Sequence, residues 1–193
     1  MMRIRTRRMA LAISCCAAML LVMSGKAEAT TLARMSVEQM TQTAQVIVRA
    51  RCVGHAASWD AGEIWTLTTF EVEEVWRGSA SARITVRLLG GRLGNLTSNV
   101  PGVPRFRPGE EVVLFLEATQ RGDFTVVSWE QGTFRIGRDV PTGGQNVTQG
   151  SASLARFDPV ARKFEATGIR SMPLETFRAR VDAALRAETG RKQ

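Results

Sequence analysis

One segment of the chain carries side chains that could perform metal or acid–base chemistry. The chain has a single histidine, His55, and no tyrosine. Asp60 and Glu63 follow it closely enough to form a metal site across a loop. Recognised metal sites usually take two or more ligands from histidine or cysteine. We therefore interpret His55 as a solvated loop residue, and a metal-dependent enzyme that uses it is the weakest functional alternative.

Other candidate catalytic patterns have structural interpretations. No serine lies in a G-x-S-x-G frame, and the glycine-rich segment 90–94 fits neither phosphate-binding frame, so we interpret that segment as a turn. Three glutamates between Glu71 and Glu74 are expected to form cross-strand ion pairs with Arg49 or Arg83. An acid–base pair would instead need two opposed carboxyl groups across a cleft. We expect no catalytic residue, no metal and no cofactor.

Recognition by surface loops is the function that the sequence favours. The segments Gly54–Gly62 and Gly91–Pro104 are predicted to be loops at the rim of a barrel, where recognition residues are usually found. Trp59 is the best anchor candidate, because tryptophan is enriched at interface hot spots. The predicted binding residues are His55, Trp59, Asp60, Arg92 and Arg105.

Outward-facing arginines allow a second kind of binding module. A patch for an anionic ligand could form from Arg83, Arg87, Arg92, Arg105 and Arg107. A glycan-binding module would use Arg87, Arg92 and Trp59. Single-stranded nucleic acid is held by aromatic side chains interleaved with basic ones. Only Phe106 among the neighbouring residues meets that need, so a nucleic-acid partner is not expected. A protein partner is the leading interpretation, and a glycan is the alternative.

Residues 1–29 are predicted to be a cleavable signal peptide. A cationic start, Met1–Arg8, precedes fifteen apolar residues, Met9–Met23, and Ala27-Glu28-Ala29 forms an A-x-A cleavage site. The apolar run is too short to span a hydrocarbon core of ~30 Å comfortably. The pattern predicts an exported protein, periplasmic or secreted, with no membrane span after cleavage. Thr6-Arg7-Arg8 leaves the twin-arginine route open beside the general secretory route.

Cleavage would change the charge and the cysteine content. It removes five basic residues and one acidic residue, which lowers the formal net charge from +8 to +4. Much of the apparent basicity is therefore targeting signal, and it does not argue for nucleic acid. Cys52 is the one cysteine left, so no internal disulfide is expected.

Alternating apolar and polar residues predict strands over most of the remaining chain. The segment from Val46 to Cys52 predicts a strand with one buried face, on which Cys52 is a small core residue rather than a reactive thiol. The apolar phase slips within Glu63–Trp76, which predicts a β-bulge. The unbroken apolar run Val112–Leu116 predicts a central strand. Shorter patterns predict strands at Ile84–Leu88, Leu96–Val100, Phe124–Trp129 and Thr133–Ile136.

Two helices and a peripheral hairpin complete the predicted elements. Ser36 and Gln39 form a capping box for a helix at about 37–44. Pro173 opens a second helix, whose apolar stripe is Phe177, Val181 and Leu185. The polar stretch 137–150 is predicted to be a loop, and segments 154–157 and 163–166 are predicted to pair as a hairpin.

The predicted fold is mainly β, a closed OB-like barrel of five to six strands with a short N-terminal helix and a C-terminal amphipathic helix. The barrel is assigned to residues 30–136. Residues 137–193 are assigned to the loop, the hairpin and the final helix, packed on the same domain.

Three segments carry a resemblance to a known family. Ala44–Arg51, Phe70–Gly78 and Arg107–Phe115 are similar to strands of the netrin-type (NTR) OB-barrels, which include the tissue inhibitors of metalloproteinases. The resemblance extends from Ala44 to Phe134 and also covers uncharacterised exported bacterial proteins. It implies a five-stranded OB-barrel.

The resemblance also defines where this chain departs from the inhibitors. Their N-terminal cysteine, placed by disulfides, chelates the zinc of the protease. The predicted mature start, Thr30, has no cysteine near it, and the loop 100–103 lacks the family's second anchoring cysteine. We therefore expect the fold but not zinc chelation. The sequence as a whole predicts an exported, non-enzymatic binding module that engages a secreted protease or another envelope protein.

Overall fold

The computed structural model describes residues 33–138, 143–152, 156–158, 162–165 and 168–191. These residues form a mainly β protein with two α-helices, as the sequence predicted. The helices are α1 (Val37–Thr43) and α2 (Leu174–Arg191). The strands are β1 (Val46–Asp60), β2 (Glu63–Arg77), β3 (Arg83–Leu89), β4 (Gly91–Leu93), β5 (Leu96–Ser98), β6 (Glu111–Ala118), β7 (Phe124–Val126), β8 (Thr133–Arg138), β9 (Gln145–Gln149), β10 (Arg156–Asp158), β11 (Lys163–Glu165) and β12 (Met172–Pro173). A short 3₁₀ helix, Trp129–Gly132, precedes β8.

The predicted number of strands is wrong. The main sheet of the described residues has eight strands in the order β1-β2-β3-β7-β6-β8-β9-β12, and β1 also pairs with β6. Two further sheets have two strands each, β4 with β5 and β10 with β11. The pairing of β10 with β11 confirms the hairpin within its described parts. No helix in the described ranges is long and apolar enough to cross a membrane.

Two predicted loops are largely strand. Gly54–Asp60 continues β1, and the chain reverses at Ala61 and Gly62, which both have positive φ as a two-residue type I′ hairpin turn requires. The predicted loop 137–150 contains β9, which pairs with β8 and β12; residues 139–142 of it lie outside the described ranges. Neither segment shows a simple apolar alternation, although Val147 in β9 is fully buried.

Two apolar clusters lie on opposite faces of β1 and β6. Val46, Val48, Ala50 and Cys52 point into the first cluster, whereas Ile47 points into the second. Strand β6 contributes in the same alternating way, which is why its sequence is an unbroken apolar run. The predicted central strand is therefore confirmed, and burial raises the pKa of the Cys52 thiol in the first cluster.

The second cluster holds both helices against the sheet. The predicted capping box of α1 is present, with the Ser36 hydroxyl accepting from the Gln39 N–H. In α2, Phe177 and Val181 are fully buried as predicted. The Phe177 ring lies 4.4 Å from that of Phe134 in β8. The helix is thus fixed by aromatic packing on the face of the sheet that carries the second cluster.

Candidate functional site

A cleft of about 600 Å³ brings together three of the five predicted binding residues, His55, Arg92 and Arg105. Its walls come from the β1–β2 hairpin, the β4–β5 hairpin and the segment 99–106, and Leu88 of β3 also lines it. We call it the hairpin cleft. The predicted residues Trp59 and Asp60 belong to the same β1–β2 hairpin but do not line the cleft.

A β-bulge in β1 decides that His55 faces the cleft. Cys52 pairs with Phe70 and Gly54 pairs with Thr69, so Val53 is an extra residue without a partner in β2. Side chains alternate with a period of two along a strand, so one extra residue switches the face on which the following side chains lie. His55 therefore continues the face of Cys52, although the two residues are three positions apart.

The bulge predicted in β2 is also present. Val48 pairs with Val75 immediately after Ile47 pairs with Arg77, so the register slips at Trp76. A second slip occurs at Glu73. The predicted cross-strand ion pairs of this region are formed as well, with Arg49 Nε 3.1 Å from Glu73 Oε2.

Two glycines allow β4 to lie close against β2. The hydroxyl of Thr66 donates to the carbonyl oxygen of Gly90 at 2.7 Å. Gly91 has a φ of +142°, and a Cβ at that position would overlap Oγ1 of Thr66. The segment 90–94, predicted to be a turn, is therefore a close-packed strand, Gly91–Leu93, followed by a turn at Gly94.

The segment that carries Arg105 is fixed from two sides. Arg105 Nη2 donates to the Ser98 carbonyl oxygen at 3.2 Å, and the Arg105 carbonyl oxygen accepts from Arg135 Nη2 at 3.1 Å. Phe106 is 6% exposed and packs edge-on against Phe70, with ring centroids 4.9 Å apart. Phe106 is therefore an anchor for the segment and not an open stacking platform.

Arg135 stabilises this arrangement from β8. Its guanidinium pairs with Glu110 at 2.8 Å and with Glu130 at 3.0 Å. Burial alone would lower the pKa of Arg135, but hydrogen bonds and charge attraction from the two glutamates outweigh it and raise the pKa. Arg135 thus remains cationic while it holds the backbone of Arg105.

The hairpin cleft is cationic. Arg92 Nε donates to the Gly94 carbonyl oxygen at 3.2 Å, and Arg105 donates to oxygens of Ser98 and Thr66. In the described part of the chain neither guanidinium has a carboxylate partner, and none of the lining residues is acidic.

Asp60 and Arg87 have a different role from the one predicted. Asp60 lies on the opposite face of β1 from His55, and its Oδ2 is 3.2 Å from Arg87 Nη1 and 3.0 Å from Arg121 Nη2. Arg87 also donates to Asp123 at 2.7 Å. These contacts satisfy Arg87, so it is not an outward residue free to bind a glycan.

Trp59 is exposed at the tip of the β1–β2 hairpin. It pairs with Ile64 one step from the turn, and 57% of its surface is accessible. Leu96, beside the turn of the β4–β5 hairpin, is 52% accessible. Each hairpin that walls the cleft therefore ends in a large exposed apolar side chain.

The suggested metal ligands are not brought together. His55 and Asp60 are five residues apart on one strand, which is roughly 16 Å along it at a rise of about 3.3 Å per residue. They also point to opposite faces. In the portion of the chain that the structure describes, no three His, Cys, Asp or Glu side chains are grouped to hold a metal ion.

Sequence analysis missed the threonines of the cleft. Thr66 and Thr68 are 7% and 1% exposed, and they occupy the same face of β2 as the apolar residues Ile64 and Phe70. The sequence does show this feature, because threonine occupies two successive inward-facing positions of one predicted strand.

Comparison with known proteins finds no matching family model and no matching curated protein.

Proposed function

We propose that this protein is an exported, non-enzymatic binding module that engages a secreted protease or another envelope protein through its two hairpins. One observation carries the proposal: Trp59 is 57% exposed at the tip of a hairpin that also walls the hairpin cleft. An exposed tryptophan on a rigid strand pair is the kind of anchor that dominates interface energetics.

An OB-type barrel is the scaffold in this proposal. Its support is a cycle of strand pairings: β1 with β2, β2 with β3, β3 with β7 in parallel, β7 with β6, and β6 with β1. The segments that resemble NTR domains overlap β1, β2 and β6. The proposed family therefore rests on this resemblance and on the cycle of pairings.

Export is proposed on the pattern of residues 1–29, and a protein partner on the chemistry of the hairpin tips. Leu96 is a second exposed apolar side chain, 52% accessible, on the β4–β5 hairpin. Aromatic residues and arginine are both enriched at protein interfaces, and the two hairpins and their cleft carry Trp59, Arg92 and Arg105. The glycan alternative keeps Arg92 but loses Arg87, which is ion-paired.

Site-specific photo-crosslinking tests the proposal. Cells of the source organism would express the full chain with a photo-reactive residue at position 59, at position 96 or, as a control, at position 75. Val75 is also an exposed apolar residue, 41% accessible, but it lies near the other end of β2. We expect one envelope or secreted protein to be crosslinked from positions 59 and 96 and not from position 75.

Substitution and metal analysis complete the test. Trp59→Ala is expected to reduce recovery of the crosslinked partner through position 96 by about thirtyfold or more, because truncation of a hot-spot residue costs at least about 2 kcal/mol. Equal crosslinking from all three positions would contradict the proposal. Stoichiometric metal that is lost on His55→Ala would also contradict it and would support an enzyme instead.

A further inference from the structure

We propose that the hairpin cleft is a carboxylate site that receives an acidic side chain of the partner protein. The inference deepens the proposed function and rests on it for the identity of the partner as a protein. It is carried by Arg92, Arg105 and Thr68, whose cationic and hydroxyl groups line one cavity of about 600 Å³.

The two arginines supply charge that the described residues leave unmatched. Most arginines on the strands have carboxylate partners, as Arg49, Arg87 and Arg135 do. Arg92 and Arg105 donate to carbonyl and hydroxyl oxygens instead, and no acidic residue lines the cleft. A guanidinium with spare donors is suited to a carboxylate, to which it forms charge-assisted hydrogen bonds.

Thr68 adds a hydroxyl to the same lining. Its side chain is 1% exposed and lines the cleft. The hydroxyl of Thr66, two positions away, is committed to the Gly90 carbonyl oxygen at 2.7 Å. The cleft therefore offers the Thr68 hydroxyl beside the two guanidinium groups, and a hydroxyl can donate to a carboxylate.

The cleft favours a protein carboxylate over a ligand held by ring stacking. Stacking needs an open aromatic face, and the aromatic residue of the lining, Phe106, is 6% exposed and packed on Phe70. The exposed Trp59 and Leu96 lie on the hairpins beside the cleft, where a protein surface would contact them together with the acidic group. The backbone of Arg105 is already fixed by Arg135, so little ordering accompanies binding.

Direct titration of the purified protein with acidic probes tests the inference. The probes are hexaglutamate, hexaglutamine as the neutral match, an oligogalacturonate and inorganic phosphate, all at one ionic strength. Amide and methyl NMR signals are followed. We expect saturable shifts at His55, Thr68 and Arg105 with hexaglutamate and none with hexaglutamine. Tighter binding of oligogalacturonate or phosphate than of hexaglutamate would overturn the assignment to a protein side chain.

Three variants separate a built site from general electrostatic attraction. Arg105→Gln is expected to weaken hexaglutamate about tenfold, whereas Arg107→Gln, an exposed arginine outside the cleft, should weaken it less than about twofold. Thr68→Val should weaken binding about threefold, because it removes a hydroxyl donor from the lining of the cleft. Equal effects of the two arginine variants would overturn the site.

The failures of the two proposals are distinguishable. If crosslinking from positions 59 and 96 succeeds but hexaglutamate does not bind, the binding module stands and the carboxylate site is wrong. If hexaglutamate binds at Arg105 but no partner is crosslinked, the site stands as an anion site and its assignment to a protein partner is wrong.

Discussion

Arg87 Nε donates to Asp123 Oδ2 at 2.7 Å and so joins β3 to the residue that precedes β7. The backbone pairing of these strands is a single parallel pair, Val86 with Phe124. Burial would raise the pKa of Asp123, but hydrogen bonds from Thr119 and Arg87 outweigh it and lower the pKa. The side-chain contact therefore reinforces the least extensive pairing in the cycle of strands.

Loss of this contact is expected to destabilise the protein. Asp123→Ala leaves Arg87, which is 15% exposed, without its closest carboxylate. We expect a loss of about 2–3 kcal/mol in the free energy of unfolding, below the range for a fully buried pair. Urea denaturation measures it. Glu71→Ala is the control, because its pair with Arg83 spans 3.9 Å at the surface and should contribute less than about 0.5 kcal/mol.

Closing the space beside Gly91 should damage the hairpin cleft. In Gly91→Ala, the new Cβ overlaps Oγ1 of Thr66, and the φ of +142° is itself unfavourable for alanine. We expect a loss of about 2–3 kcal/mol in stability and loss of hexaglutamate binding. Gly54→Ala is the matched control, since nothing lies within 4 Å of its Cβ position. Equal stability of both variants would show that β4 does not pack as closely as described.

The ion pair between the helices should make stability depend on acid pH. Arg180 Nε donates to Glu38 Oε1 at 2.7 Å, and this hydrogen bond is the main reason that the pKa of Glu38 falls to about 2. The pKa of Glu38 is lower in the folded protein than in the unfolded chain. The ion pair's contribution to the free energy of unfolding is therefore complete above about pH 4.5 and disappears as the pH falls toward 2. Both side chains are more than a third exposed, so solvent screening limits the ion pair's contribution to the free energy of unfolding to about 0.5–1 kcal/mol.

Glu38→Gln tests that dependence against the unaltered protein. The difference in the free energy of unfolding between the two should be about 0.5–1 kcal/mol at pH 7 and should vanish near pH 2. Chemical denaturation at a series of pH values measures it. A difference that stays constant with pH would mean that the ionised Glu38 does not contribute through Arg180.

Removal of the Phe177 ring is expected to be the most costly of these changes. The side chain is fully buried, and its centroid lies 4.4 Å from that of Phe134 and 6.3 Å from that of Phe115. Phe177→Ala should cost about 3–5 kcal/mol. Leu185→Ala, further along α2 and only partly buried, should cost less. Hydrogen exchange of the α2 amides would show whether the loss is local to the helix.

The sequence alone determined those parts of the structure whose signals are local. The alternation from Val46 to Cys52 and the apolar stripe of α2 reflect the period of one strand and one helix, and burial on one face suffices to produce each pattern. The capping box of Ser36 and Gln39 is local as well, because its hydrogen bonds join residues three positions apart. These predictions are confirmed. The apolar run of β6 also predicted a strand, although only the structure shows that its two faces enter different clusters.

Tertiary structure decided what lies beside what. The predicted loop after Val53 is strand because it pairs with β2, and the unpaired Val53 decides which of its side chains face the cleft. The periodicity of one strand reveals neither. Asp60 was predicted in the same site as His55, but that register places it on the opposite face, where Arg87 binds it. His55, Arg92 and Arg105 meet in one cleft because β4 approaches β2 at glycines 90 and 91. Such proximity depends on strand pairings between segments that are far apart in the sequence. The spacing of residues within one segment does not predict these pairings.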